Sequence, residues 1–443
     1  MTTNLTAEAV LALAPDDASA KAARGLTSPA KWPTLGADER AVWGECQGSG
    51  SKPYQTQVDL SGPSFRCSCP SRKFPCKHGL ALLLLRASDP ARFNGAEPPA
   101  WVGEWLASRT ERAEKKEQKA QAAAAAPADP EAAAKRAQQR WARMAQAADE
   151  LGRWLGDQVG RGLASLGEAQ RHEWKTMAAR LVDMQVPGLG QRVLDAAALV
   201  ASGPGWPEQV LQRFGLLQLA CDALRRHEQL EPAARADLRA MLGWPFDKAE
   251  VLAEGETLRD RWSVLGQISE ERDDQLTERR VWLQGERSGR RALLLDHAFA
   301  GKGFEQSWLT GTCVEATLAF FPGAGGLRAL AHELHGTPAA SNTEAGPLEA
   351  EWHRMAERVA ACPWTPLHPM LIADARLGHD GPQLLLCASG QGLPLSITDA
   401  DQWLLLAHAG GAPIALMGEW DGRMLRPLTA WNDAGLWQRG GGA

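Results

Sequence analysis

Two short stretches alternate at the period of a strand, residues 41–46 and 54–60. In the second, Gln55, Gln57 and Asp59 fall on one side and Thr56, Val58 and Leu60 on the other. The run QGSGSKP between them is turn-forming, so the pair predicts a hairpin. Residues 78–87 carry a nearly unbroken leucine run (Leu80, Leu82, Leu83, Leu84, Leu85). It is too short to cross a bilayer and too apolar for an exposed helix, which predicts a helix buried against the hairpin. Residues 1–30 read as short helices with an alanine-rich face. Pro98 and Pro99 open a further helix in which Trp101 and Trp105 lie four apart beside Val102 and Leu106.

Past Arg109 the helical pattern loses its apolar face and becomes TERAEKKEQKAQAAAAA, ended by Pro127 and Pro130. High propensity with little to bury predicts a solvated linker. From 131 to 242 apolar residues return at three and four (Trp141, Met144, Ala148, Leu151, Leu155, Val159). Further helices are predicted at 168–185, 189–202, 207–228 and 232–242, as an all-α bundle. After Trp244-Pro245 the pattern turns to strands, at 262–268, 279–283, 291–295, 313–321, 370–375, 383–387, 394–397, 413–419 and 423–428. A helix is predicted at 348–361 and a helical turn at 400–408. Trp420-Asp421-Gly422 marks a hairpin. This predicts an α+β region of mainly antiparallel strands, and no internal repeat aligns in it.

Composition narrows the classes. A chain of 443 residues has room for two to four domains. Its 18 tryptophans against a single tyrosine, Tyr54, suggest core anchors. The net charge of −5 excludes a globally basic nucleic-acid binder. Charge is uneven, however. Between residues 52 and 92, Lys52, Arg66, Arg72, Lys73, Lys77, Arg86 and Arg92 stand against only Asp59 and Asp89. The N-terminus has no signal-peptide pattern, no segment is long and apolar enough to span a membrane, and the eight cysteines do not form a disulfide framework. A cytoplasmic protein with reduced thiols and no membrane partner is expected.

Three of those cysteines crowd into one segment, Cys67-Ser68-Cys69-Pro70-Ser71-Arg72-Lys73-Phe74-Pro75-Cys76-Lys77-His78. The spacing is C-x-C, six residues, C-x-H. Residues i and i+2 of a strand project to one side, so Cys67 and Cys69 can grip one ion. Pro70 and Pro75 turn the chain back, and Cys76 and His78 supply a second pair as the leucine helix begins. Three thiolates and an imidazole select zinc over magnesium or calcium. Four protein ligands leave no open position, which predicts one structural Zn(2+). So small a module is expected to draw much of its folding energy from the metal. A Cys67–Cys69 disulfide would be strained.

The C-x-C-x6-C-x-H motif, preceded by a hairpin and followed by a helix, resembles the SWIM zinc finger. The resemblance implies a ββα core with Cys67, Cys69, Cys76 and His78 as ligands. That family accompanies Swi/Snf-type helicases, Mu-type transposases and ubiquitin-ligase-like proteins, and binds DNA or proteins. The segments AVWGECQGSGSKPYQTQVDL and CSCPSRKFPCKHG are also similar to bacterial proteins with an N-terminal SWIM finger. Those tend to be encoded near MoxR-type AAA+ ATPases and von Willebrand factor A-domain proteins, which implies such a partner. The resemblance covers about residues 20–110. The predicted division is a SWIM-like finger domain at 1–95, a charged helical linker at 96–140, a helical domain at 141–245 and an α+β domain at 246–443.

Arg66, Arg72, Lys73 and Lys77 surround the ligands. They suit phosphate contacts, with Phe74 or Trp43 to stack on a base, and equally suit a solvated rim that keeps the module soluble. Cys46 reads as a buried small hydrophobe. His332 and His335 are three apart, not the four of H-E-x-x-H, and read as structural, as do His297, His368, His379 and His408. No phosphate loop is present, since Ala300-Gly301-Lys302-Gly303 lacks its first glycine and its hydroxyl residue, and no serine sits in a nucleophile elbow. The reading is a non-enzymatic zinc-binding adaptor or scaffold with a nucleic-acid or protein partner. The alternative is an enzyme with its site in 246–443.

Overall fold

Four antiparallel strands form the N-terminal sheet in simple meander order: β1 (Thr34–Ala37), β2 (Ala41–Cys46), β3 (Tyr54–Asp59) and β4 (Ser64–Cys67). The computed structural model describes the chain apart from residues 1–6, 12, 15–16, 49–51, 61–63, 72, 94, 96, 126–129, 164–165, 274–275, 300–303, 305, 342 and 441–443. The predicted hairpin is β2–β3, paired from Ala41–Asp59 to Cys46–Tyr54. Before and after the sheet come helices α1 (Ala7–Leu11), α2 (Asp17–Arg24), α3 (Lys77–Ser88) and α4 (Ala100–Ala125).

Helix α3 is the leucine run, and it is apolar all round because it is covered all round. Val42, Cys46, Val58 and Phe65 of the sheet pack on it from one side, and Val10 and Ala23 of α1 and α2 belong to the same cluster. The opposite face of the sheet is covered too. Ala41 and Trp43 pack against Val102, Trp105 and Leu106 of α4. The polar side of β3 is therefore buried, with Gln57 3% and Asp59 2% exposed. Asp59 accepts there from Arg109 Nε at 3.2 Å, while Arg109 Nη1 donates to Ser64 Oγ at 2.7 Å. The finger thus has an apolar core on each face of its sheet. Helices on both faces, and Leu309 from far along the chain, enclose the sheet.

The middle region consists of α5 (Pro130–Arg161), α6 (Glu168–Asp183), α7 (Pro187–Ala198), α8 (Trp206–Arg225) and α9 (Pro232–Met241). Their apolar faces share one core that includes Met144, Leu151, Trp174, Leu181, Leu189 and Phe214. Proline begins α7 and α9, where a missing N–H costs nothing. The start of α7 crosses the end of α9 so closely that a Cβ on Gly188 would lie 1.9 Å from Met241 O, which only glycine permits.

The remainder opens with α10 (Lys248–Glu254), started by a capping box between Asp247 and Glu250. Five strands follow: β5 (Thr257–Asp273), β6 (Leu276–Gly285), β7 (Arg291–Phe299), β8 (Thr312–Phe320) and β9 (Arg328–Leu334). β5 pairs with β8 from Thr257 to Ser263 and with β6 from Trp262 to Asp273, with a bulge at Val264/Gly266. β7 pairs with β9 in parallel, and β9 returns antiparallel to β8. The order β5-β6-β7-β9-β8-β5 closes a barrel, with β10 (Ala339–Ala340) appended to β8.

The same path is then repeated by α11 (Leu348–Ala361), β11 (His368–Asp380), β12 (Gln383–Ala388), β13 (Gln391–Pro394), α12 (Asp399–Ala409), β14 (Ile414–Trp420), β15 (Leu425–Asn432) and β16 (Gly435–Gln438). β11 gives its first part to β14 and, past a shift between Ile372 and Ala375, its last part to β12. Leu395, just beyond β13, bridges in parallel to Leu425 of β15. Each set therefore runs 1-2-3-5-4-1, the connectivity of a five-stranded OB-fold barrel. The chain carries a repeat of topology that its sequence does not display. Between the barrels lie Leu265, Trp282, Leu371, Met417 and Leu428. A buried ion pair joins them, Arg280 Nε to Glu419 Oε1 at 2.8 Å, and Trp282 Nε1 donates to the same oxygen at 2.8 Å. The whole is a multidomain α+β protein with predominantly antiparallel sheets.

Candidate metal centre

Strand β4 ends at Cys67, opposite Thr56 of β3. Ser68 prolongs the ladder without being part of a strand: its N–H donates to Gln55 O at 2.9 Å, and its hydroxyl accepts from Gln55 N at 3.0 Å. That pins the backbone between Cys67 and Cys69. The chain then turns back, with Ser71 Oγ accepting from Lys73 N at 3.2 Å. Cys76 is the N-cap of α3, its carbonyl accepting the first helical bond from Leu80 N at 3.1 Å. His78 follows within the first turn and is 4% exposed. Gly79 lets the helix approach β4, since a Cβ there would meet Phe65 Cδ1 at 2.7 Å. Tyr54 backs the imidazole with ring centroids 5.0 Å apart.

One donor atom from each of Cys67, Cys69, Cys76 and His78 lies within 4.8 Å of all the others. Cys67 Sγ and Cys76 Sγ are 3.8 and 4.0 Å from His78 Nδ1. Around a tetrahedral zinc, with Zn–S about 2.3 Å and Zn–N about 2.0–2.1 Å, sulfur and nitrogen stand about 3.6 Å apart, so Cys67 and Cys76 need to close on His78 by only tenths of an ångström. Among the described residues this is the one such group of three or more.

Electrostatics favours a cation at the same point. Without one, the donors compete for protons. Hydrogen bonding to Cys69 and Cys76, followed by burial, pushes the Cys67 thiol far up, while hydrogen bonds from Cys67 and Cys76 hold Cys69 as the thiolate. Burial pulls the His78 imidazole down, but its hydrogen bonds to Cys69 and Cys76 and their negative charge outweigh this and raise it to about 9. The N-terminus of α3 adds a positive partial charge beside the thiolates. Three thiolates cannot coexist at these distances unless a dication neutralises them, and a Cys3His set is what zinc takes in a closed structural site. The centre is that of one structural zinc ion, held by Cys67, Cys69, Cys76 and His78.

Around it Arg66, Lys73 and Lys77 are exposed, and Arg72 lies outside the described residues. Phe74 is 37% exposed and rests edge-on against Phe65 at 6.0 Å. Trp43 is not available for stacking on a base. At 1% exposure it is spent against α4 on the far side of the sheet. Cys46 is fully buried in the finger's apolar cluster, and burial raises its thiol, as for a small hydrophobe. His332 lies on β9 and His335 just past it, where His335 Nε2 pairs with Thr317 Oγ1 at 2.7 Å. The supporting residues that spacing alone did not reveal are Thr56, whose Oγ1 is 3.2 Å from Cys67 Sγ, and Tyr54 and Gly79. Their only sequence signal was position, two of them in the strand opposite Cys67 and one directly after His78.

Residues 54–87 match the family model of the SWIM zinc finger, and residues 139–242 match that of the SWIM-associated four-helix bundle domain. The second match falls on α5–α9, a region to which the motif-based resemblance did not extend. No curated protein and no solved structure matches the chain. No helix among the described residues is long and apolar enough to cross a membrane.

Proposed function

For a chain that carries a SWIM zinc finger and the four-helix bundle associated with it, we propose a non-catalytic adaptor whose finger grips the phosphate backbone of nucleic acid. The finger itself is a zinc-binding interaction module. The observation that carries the finer reading is the run of cations around the ligands, with no acid in the same stretch of sequence. From residue 60 to 88 the sequence contains no acid, and the nearest one before it, Asp59, is buried against Arg109. Arg66, Lys73 and Lys77 point outward from a backbone held in place by the metal, with Phe74 beside them to stack on a base.

The scaffold role of residues 246–443 is supported by what its buried charges do. Arg280 is bound to Glu419 and Glu270, Arg291 to Glu351, and Asp260 to Arg287. Each is engaged by another protein charge rather than aimed into a cleft. The test is binding of zinc-loaded protein to fluorescent single- and double-stranded DNA and RNA across a salt series, with Cys76→Ser as the control. Salt-sensitive binding that Cys76→Ser loses supports the reading. Failure of zinc-loaded protein to bind any of the four would overturn it. The same surface would then be assigned to a protein partner, with a MoxR-type AAA+ ATPase or a von Willebrand factor A-domain protein as the first to try.

A further inference from the structure

A second cationic site lies in the bundle, far along the sequence from the finger. Helix α5 presents Arg136, Arg140 and Arg143 at four- and three-residue spacing, and α9 presents Arg235 and Arg239 four apart. All five line one cleft of about 820 Å³, whose other walls are Trp141, Trp244 and Phe246. Three of the guanidinium groups lie over the rings. Arg140 lies 4.3 Å over Trp244 and Arg239 lies 4.8 Å over that ring, while Arg239 is also 3.9 Å over Phe246 and Arg235 is 5.2 Å over Trp141. Trp141 is itself fixed by stacking on His227 at 4.6 Å.

A guanidinium held over a ring satisfies none of its N–H donors there, so they still call for acceptors. Here acceptors are scarce. Glu250 takes Arg239 Nη2 at 2.9 Å, yet Arg239 Nε is buried without a partner, and so is Arg140 Nε. Among the described residues Arg136, Arg140, Arg143 and Arg235 form no ion pair. Five arginines against Glu250 and Glu254 leave the cleft strongly positive. Burial and the neighbouring Arg239 and Arg143 charges lower the Arg140 pKa, the mark of cations held together against their repulsion.

We propose that this cleft binds a chain of phosphates, as carried by a nucleoside polyphosphate. Along α5 the guanidinium stems are spaced by about 6 and 4.5 Å, so neighbouring arginines can share one phosphate and grip the next, in the bidentate geometry guanidinium groups favour. The volume is that of a small-molecule site rather than of a lone anion. The aromatic rim offers apolar edges to a base. The proposal does not depend on the finger's partner.

The test is calorimetric titration of the zinc-loaded full chain with ATP and, separately, inorganic tripolyphosphate at low salt. Both are expected to bind. Arg143→Gln, at an exposed position that leaves the fold intact, and Arg140→Gln are each expected to weaken binding about tenfold. Glu254→Gln is expected to tighten it severalfold by removing a repelling charge, which arginines that served only packing would not produce. Tighter binding of ATP than of tripolyphosphate assigns the rim a base, and equal affinity assigns the site to the phosphate chain alone. Failure of both ligands to bind, or binding indifferent to Arg143→Gln and Arg140→Gln, overturns the proposal. Because Cys76→Ser leaves the bundle untouched, that variant should bind ATP as the parent does even if the finger binds no nucleic acid.

Discussion

His78 of the finger and His368 of the second barrel are buried to nearly the same degree, 4% and 5% exposed, and their proton affinities move in opposite directions. Without the metal His78 is raised to about 9 by its hydrogen bonds to Cys69 and Cys76 against the effect of burial, whereas burial and then the Arg358 charge push His368 down to about 4. The contrast extends to the regions around them. In the finger, three thiols and an imidazole, two of the four buried, converge on one point and leave a place for a cation. In the barrels, most buried charges have an opposite within the fold, as Arg280 has Glu419 and Arg291 has Glu351. Burial alone therefore does not mark a site. Imbalance of charge does, and by that criterion the finger and the arginine cleft are sites and the barrel interface is a brace.

The largest effect that would sharpen this contrast comes from the metal. Chelation, or Cys76→Ser, should take zinc from one per chain to none by metal analysis. Structural zinc contributes on the order of 10 kcal/mol in fingers that have no other core. Here the leucines of α3 and the helices on both faces share that task. Hydrogen exchange should consequently rise steeply over 67–78 while β2 and β3 stay protected. Loss of protection throughout the sheet would show the metal to be dominant after all.

Next in size is the brace. Glu419→Ala strips the partner from Arg280 Nε and Nη2, leaving only Nη1 engaged by Glu270 and Glu278, and leaves Trp282 Nε1 without its acceptor, with an expected loss of about 3 kcal/mol in urea denaturation. The double variant Arg280→Met/Glu419→Leu should recover most of it, because a balanced pair is replaceable by apolar packing. No apolar substitution of the zinc ligands should restore the finger. Equal recovery in both regions would break the distinction.

His368 gives the pH test. Its folded pKa of about 4 lies below the ordinary 6.5, so the unfolded chain takes up the proton first. The contribution is complete above about pH 6.5 and is lost as the pH falls toward 4, on the order of 3 kcal/mol in all. Thermal denaturation of the parent should show this loss, and His368→Phe should flatten it. A parent curve with no slope between pH 6.5 and 4 would contradict the assignment.

How far these features were legible in the sequence follows from the range of the forces involved. The ligand set was legible because a metal imposes local spacing: C-x-C, six residues and C-x-H all lie within one turn of chain. The bundle was legible because its helices repeat apolar residues at three and four. The barrels were not. Closure rests on parallel contacts between distant strands, Leu293 with Arg328 and Leu395 with Leu425, and periodicity carries no trace of those. Strand β9 went unpredicted, since Arg328–Leu334 is short and alternates weakly. The arginine cleft stayed hidden because α5 and α9 are almost a hundred residues apart, and each alone shows only cations on a helix face. Burial of Asp59 and Gln57 depends on α4 folding back, which a charged helix does not announce.

The smallest effect tests the finger's rim. Arg66 and Lys77 are exposed, so neither supports the fold, and replacing either with alanine should leave thermal stability within about 0.5 kcal/mol. If each neutralises one phosphate, each substitution should lower the slope of log affinity against log salt by about 0.9 on double-stranded DNA, or about 0.7 on a single strand, and weaken binding a fewfold across all sequences alike. Substitution of Arg143 in the cleft should leave that slope unchanged. A common drop for rim and cleft variants would mean that one polymer runs over both surfaces, and the two sites distinguished by their supports, metal in one and stacked rings in the other, would then act as a single track.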